Sequence, residues 1–250
     1  MSGRAVRVVP VHGLPEFSDG MAVGAEIAAH AELHDGDVVV VSQKIVSKAE
    51  GRIRRLFAET PGAEARRLAA LLGKDPALVE LILSESREVL RAERGVLIVE
   101  THHGFVCANA GIDSSNLPEP GTVTLLPQDP DASARRIRAE LGDLSGAEVA
   151  TIVSDSFGRA WRLGQAEVAI GCAGIVPLDD WRGRTDAEGR ELEATLIAIA
   201  DQAAAAADLA HDKANRVPVA IVRGLERFLT AENGPGAAVL RRPLDEDLFR

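Results

Sequence analysis

The chain has 250 residues, 46% of them hydrophobic, enough to bury a sizeable core in a single domain built as one body or as two intimately joined lobes. Its 38 acidic against 28 basic side chains give a formal charge of −10, which excludes a general nucleic-acid binder, because phosphate contacts demand a basic face. No run approaches the roughly 18 apolar residues of a membrane span, and Met1 to Val11 lacks the apolar core of a secretory leader, so the chain reads as cytosolic with no membrane partner.

In chain order, Val6 to Val11 predicts a first strand, followed by a turn at Gly13-Leu14-Pro15 and a helix from Asp19 to Leu33. His34-Asp35-Gly36-Asp37 then turns into the apolar run Val38 to Val41, which reads as a buried strand. Ser42 to Arg52 leaves the end of that strand as a polar loop carrying Lys44 and Lys48. Glu64 to Leu72 and Asp75 to Ser84 predict consecutive helices, the second with Asp75 as N-cap and Pro76 in the first turn. Gly95 to Glu100 and Gly104 to Ala108 are separated by Thr101-His102-His103, a spacing that suits an antiparallel hairpin. A strand at Thr122 to Leu126, a helix from Asp131 to Leu141 and a strand at Glu148 to Val153 come next. The alanine-rich stretch Gly189 to Leu209 predicts the longest helix, ahead of a strand at Val217 to Val222. Hairpins mixed with helices indicate an α/β or α+β fold with substantial antiparallel pairing.

Two polar loops stand out because each leaves the end of a strand: Asn109 to Asn116 and Asp155 to Arg159. Mg²⁺ or Mn²⁺ needs only one or two protein carboxylates when water and substrate phosphate fill the other positions, so Asp113 and Asp155 suffice for one ion, and the Ser156 hydroxyl can serve a second. The alternative is that Asp113 and Asn116 fold an Asx turn and that Asp155-Ser156 caps a helix. Neither a Walker A sequence nor a GxGxxG fingerprint occurs. Cys107 and Cys172 sit in apolar or small-residue sequence and are expected to pack as thiols rather than to pair. The absence of CxxC and HxxxH spacing argues against structural zinc, and His102-His103 point to opposite faces of a strand.

Seven segments in order along nearly the whole chain resemble the coenzyme F420-0:L-glutamate ligase family, the F420 gamma-glutamyl ligases. They are Gly13-Leu14-Pro15, Asp35-Gly36-Asp37, Ser47 to Arg52, Asn109 to Asn116, Asp155 to Arg159, Asp180 to Arg184 and Gly189 to Glu193. The resemblance implies that family's fold and a GTP-dependent ligase that attaches L-glutamate to coenzyme F420-0 and then extends the gamma-linked tail. It further implies that Leu14, Pro15, Glu16, Phe17, Gln43, Lys44, Lys48 and Asn116 contact GTP, that Asp113 and Asp155 hold one divalent ion, and that Ser156, where the family commonly has threonine, binds a second. A last nucleotide-contacting segment corresponds to His211, Asp212, Lys213, Ala214 and Asn215, with Asp212 also a candidate metal ligand. The match there is poor, since some relatives have a more glycine-rich stretch.

The implied cofactors are Mg²⁺ or Mn²⁺, two per subunit, with K⁺ as a further candidate, and the implied assembly is a homodimer. Some relatives carry a carboxy-terminal nitroreductase-like domain; the chain reaches Arg250 without one, so a single ligase domain spanning 1–250 is expected. Arg159, Arg182 and Arg184 are candidate clamps for substrate phosphate or carboxylates, because guanidinium binds such groups bidentately; their alternative is surface ion pairing. Competing readings are an amide ligase with another carboxylate acceptor, a metal-dependent GTP phosphohydrolase and a nucleotide-binding module without turnover.

Overall fold

The computed structural model describes residues 5–117, 119–211 and 216–248. In chain order, β1 (Arg7–Pro10) and α1 (Val23–His30) precede β2 (Val38–Ser42), which passes directly into α2 (Gln43–Ala49). After β3 (Ile53–Arg55), α3 (Ala63–Leu72) and α4 (Pro76–Ser84) come β4 (Ser86–Glu93), β5 (Val96–Thr101) and β6 (Val106–Ala108). The second half holds β7 (Thr122–Thr124), α5 (Pro130–Ser145), β8 (Ala150–Arg159), β9 (Arg162–Ala173), β10 (Leu178–Asp180), β11 (Leu196–Ala198), α6 (Ile199–Asp208) and β12 (Val219–Arg223).

A five-stranded sheet in the order β1-β12-β2-β8-β9 forms the frame. Only β2 and β8 run parallel; the other neighbours are antiparallel, as the expected mixed architecture requires. The four valines of β2 are fully buried because both faces of the sheet are covered. Val39 and Val41 join Ile27 of α1 and Ile137 and Leu141 of α5 on one face, whereas Val38 and Val40 join the alanines of α6 on the other. The alanine run is therefore packing material: small side chains let α6 lie close to the sheet.

The approach of α5 is equally tight. A Cβ on Gly171 of β9 would stand 2.2 Å from the carbonyl carbon of Pro130 at the start of that helix. Asp129 caps α5 by accepting from the Ala132 amide at 2.9 Å, and Asp75 caps α4 by accepting from Ala77 at 2.8 Å, with proline at the first helical position in both. A separate cluster, built from α3, α4 and β5, buries Ala110 and so fixes the loop that follows β6. Both cysteines are buried free thiols. Among the described residues no helix is long and apolar enough to cross a membrane.

Several elements differ from the sequence expectation. Residues 43–49 are helical rather than a loop, since Ile45, Val46 and Ala49 share a buried face toward the sheet. The segment Asp155 to Arg159 is not a loop or a helix cap: β8 continues to Arg159, because β9 pairs with it as far as Arg162. The predicted helix Gly189 to Leu209 shrinks to Ile199–Asp208. Gly189 turns with φ 83° and Leu196–Ala198 pairs with β10, so cross-strand hydrogen bonding overrides helix propensity in that half. Finally β3, β4, β9 and β10 are absent from the sequence reading; β4 flanks the expected β5–β6 hairpin and β9 pairs with β8.

Candidate active site

Parallel pairing of β2 and β8 places Ser42 opposite Ser154, so the first turn of α2 and the residues from Asp155 onward emerge at the same end of the sheet. A pocket of about 600 Å³ opens there. Leu14 to Phe17, ahead of α1, form one wall; Lys44 and Lys48 of α2 and Asp113 and Asn116 form a second. Asp155 and Ser156 of β8 form the third with Glu167 of β9, and Asp208 and His211 close the pocket at the end of α6.

The loop carrying Asp113 is held by its own backbone. Asn109, Ala110 and Asn116 take positive φ values of 53°, 56° and 57°, and Gly111 adds 70°. Asp113 exchanges backbone hydrogen bonds with Thr124 at 2.8 and 3.1 Å, which stitches the loop to β7. Its Oδ1 accepts from the Ser115 amide at 2.6 Å, an Asx turn, and its Oδ2 meets Lys44 Nζ at 2.7 Å. The turn expected as an alternative to ligation thus exists, and it spends one carboxylate oxygen while aiming the other at a cation.

Charge in the pocket is unevenly distributed. Lys48 Nζ is nearly buried, pairs with Glu16 and donates to the Asn116 carbonyl at 2.9 Å. Burial is the largest single influence on Asp113 and opposes its ionisation, but hydrogen bonds from Lys44 and Ser115 and the Lys44 charge together outweigh it and leave that carboxyl below its ordinary value. At Asp155 the balance is reversed. Burial, reinforced by the negative charges of Glu167 and Asp113, pushes its carboxyl up to about 7. Ser156 Oγ donates to Glu167 Oε1 at 2.6 Å, while Glu167 Oε2 is buried with no hydrogen-bond partner among the described residues. Several carboxylates facing one another, one of them with an orphaned oxygen, are a donor set that fits divalent cations.

The remaining expected residues lie elsewhere. Gln43 is buried at the start of α2, accepts from Ser47 Oγ at 2.8 Å and does not line the pocket. Arg159, near the tip of the β8–β9 hairpin, donates to the Leu163 carbonyl at 3.2 Å. Arg182 donates to Asp180 through Nε and Nη2, and Arg184 pairs with Asp179 at 3.4 Å while lying over the Trp181 ring; none of these three arginines lines the pocket. Asp212, Lys213, Ala214 and Asn215 lie outside the described residues, whereas His211 stands at the pocket wall.

Sequence reasoning missed Glu167 and Asp208. Glu167 is the register partner of Ser156, a relation that only recognition of the β8–β9 hairpin would have revealed. Asp208 and His211 have i,i+3 spacing at the helix end, a weak signal by itself.

This pocket is built from segments spread from Leu14 to Pro218, and the same span is matched by a family model described as F420-0:gamma-glutamyl ligase, which covers residues 13–224. The chain belongs to that family. The coenzyme F420:L-glutamate ligase of Methanothermobacter thermautotrophicus is 43% identical over 98% of this chain and 99% of its own length. Those of Methanocaldococcus jannaschii and Methanopyrus kandleri are 40% and 42% identical, each across 98% of its own length. Similarity this extended spans all the segments that line the pocket rather than one local motif.

Proposed function

We propose that this chain is a GTP-dependent ligase that joins L-glutamate to the carboxylate of coenzyme F420-0 and then extends the gamma-linked tail. The observation that carries the reading is the pocket, in which lysines and carboxylates from distant segments converge, in a chain of this family whose relatives are named coenzyme F420:L-glutamate ligases.

A carboxylate is a poor electrophile, so an amine can attack it only after activation. Transfer of the γ-phosphoryl group from GTP to the acceptor carboxylate breaks the bond to the GDP leaving oxygen and forms an acyl phosphate. The glutamate amine then attacks the acyl carbon, loses its proton and expels inorganic phosphate. Lys44 and Lys48 neutralise phosphate oxygens while Leu14 to Phe17 and Asn116 enclose the nucleotide, which makes the protein's contribution positioning and electrostatics rather than nucleophilic attack. Asp113 and Asp155 would hold one Mg²⁺ or Mn²⁺ and Ser156 would meet a second; bound there, the ions supply charge neutralisation between phosphate oxygens. A cytoplasmic homodimer belongs to this reading and rests on the sequence and the resemblance.

The test is mass spectrometry of the deazaflavin after incubation of the purified chain with GTP, divalent ion, L-glutamate and the glutamate-free coenzyme, with GDP followed in parallel. Added glutamyl masses matched by GDP support the ligase. GDP released without glutamate dependence would replace it with a phosphohydrolase, and nucleotide binding without turnover with a binding module.

A further inference from the structure

A second cavity of about 320 Å³ adjoins the first, and its size falls within the range of small-molecule sites. Its lining includes His103 and Phe105 from the β5–β6 connection, Asp129 and Asp131 at the start of α5, and Arg87 and Arg241. Aromatic rings join the two cavities. Phe157 lines the first and Phe105 the second, and their edge-to-face pair has its centroids 6.1 Å apart. His103 stacks on Phe105 at 5.7 Å, and the guanidinium carbon of Arg241 lies 5.9 Å from the centre of that ring.

Arg241 is held in place. Its Nε donates to the Ala238 carbonyl at 3.3 Å, and a Cβ on Gly104, whose φ is 86°, would stand 2.9 Å from Nη1, so glycine lets the guanidinium lie against the turn after β5. Among the described residues no carboxylate pairs with it. The two aspartates of the lining are engaged by the fold instead. Asp129 Oδ1 accepts from the Ala132 amide at 2.9 Å, and Asp131 Oδ1 accepts from the Cys172 and Ala237 amides, each at 2.8 Å. Arg87 approaches Glu100 only at 3.6 Å. His103 Nε2 donates to the Pro127 carbonyl at 2.9 Å, while Nδ1 is buried with no hydrogen-bond partner among the described residues. The cavity therefore presents two guanidinium groups and an unmet polar atom to a ligand rich in carboxylates.

We propose that this cavity binds the free α-carboxylates of a γ-linked glutamyl tail, with Arg241 as the principal clamp, while the growing end of the same tail lies at Asp155. The inference rests on the ligase reading for the identity of the tail. Asp155 and Phe157 share a face of β8, about 7 Å apart along the strand. A γ-linked glutamyl unit has five backbone bonds where an α-linked residue has three, so it spans about 6 Å against the ~3.5 Å of an extended residue. The steps from Asp155 to Phe157, on to Phe105 and on to Arg241 are each of that order. A tail of two or three units is long enough to reach the guanidinium. Arg241 is thus a specificity-determining residue for extension, since the glutamate-free coenzyme has no glutamyl α-carboxylate to present.

The first experiment needs no turnover: calorimetric titration of the full chain, free of GTP and metal, with tri-γ-glutamate and separately with inorganic phosphate. Wild type should bind the peptide, Arg241→Ala should bind it roughly tenfold more weakly, and Arg241→Lys should recover part of the loss without the bidentate geometry. Arg91→Ala, which removes an exposed arginine of β4 outside the cavity, should match wild type. Circular dichroism verifies folding, and Arg241→Gln serves the same test should the alanine variant unfold. The second experiment reads tail lengths by mass spectrometry in the ligase assay, where Arg241→Ala should lower the ratio of later to first additions roughly tenfold. No peptide binding by wild type, tighter Arg241-dependent binding of phosphate than of peptide, undiminished peptide binding in Arg241→Ala or an unchanged ratio of additions would each overturn the site. A chain that adds no glutamate to any acceptor refutes the ligase reading instead, and the peptide titration still decides whether the cavity binds carboxylates.

Discussion

Lys44 Nζ lies 2.7 Å from Asp113 Oδ2, so the carboxylate oxygen aimed at the pocket is already paired with a cation supplied by the protein itself. A divalent ion held at Asp113, as proposed, would compete with that ammonium, and a nucleotide phosphate entering the pocket would compete with Asp113 for the same lysine. On the proposed function the pair would act as an exchange, in which the metal would release the lysine to the phosphate. Lys44→Ala should therefore raise divalent affinity in the absence of nucleotide by roughly five- to tenfold, while weakening nucleotide binding. Calorimetric titrations with Mn²⁺ and with GTP check both halves. A variant that binds Mn²⁺ no more tightly than wild type contradicts the exchange.

The raised carboxyl of Asp155 makes stability depend on pH, and would do the same for the proposed metal binding. Its value of about 7 in the fold lies above the 3.8 of an ordinary aspartate, so the folded chain holds this proton more tightly than the unfolded chain does. The stabilising contribution of the neutral form is fully present below about pH 4 and is lost as pH rises toward 7. A divalent cation competes with the same proton, so its affinity should climb up to pH 7 and level off above it. Thermal melts at pH 6 and pH 8 should show the larger metal-induced rise at the higher pH; equal rises would count against this assignment.

Replacing Asp155 with Asn separates stability from chemistry. The amide keeps the shape but removes a charge that burial and Glu167 both oppose, so the metal-free variant should melt higher than wild type at pH 8. Each kcal/mol gained corresponds to about 2–4 °C in a chain of this size. Ligase turnover should nevertheless disappear, as it should in Asp113→Asn. Full activity in either variant would refute the assignment of these residues to a metal.

Gly171 is where β9 meets the start of α5, and the structure leaves no room for a methyl group. Its Cβ would sit 2.2 Å from both the carbonyl carbon and the oxygen of Pro130, which are backbone atoms that cannot rotate away. Gly171→Ala is expected to cost about 1–3 kcal/mol or more through forced separation of helix and sheet. Urea denaturation measures it, and a change below a few tenths of a kcal/mol would show that α5 shifts freely.

Cys107 lines the pocket but is buried, and burial followed by the negative charge of Asp155 pushes its thiol up to about 12. Cys172 is pushed to about 12 by burial as well. Neither supplies thiolate at neutral pH, so a thiol reagent should leave the native chain unmodified and react with both only in denaturant. Rapid labelling of the native chain would contradict this.

Local chemistry wrote much of this fold into the sequence. Four consecutive valines cannot face water, so Val38 to Val41 had to be a strand covered on both sides, and aspartate followed by proline at 75–76 could only open a helix. Asp113 and Asp155 could be read as pocket residues because each follows an apolar run that must surface at a sheet end. What stayed hidden depends on partners distant in the chain. The strand character of 155–159 comes from hydrogen bonds to β9 and the helix of 43–49 from a face buried on the sheet. Glu167 joins the site because the hairpin register sets it opposite Ser156, and Asp208 because α6 docks on the sheet with its last residue at the pocket. Periodicity and capping act within a few residues and are visible in the sequence, whereas strand register and helix docking are settled by contacts that form only when the chain is folded.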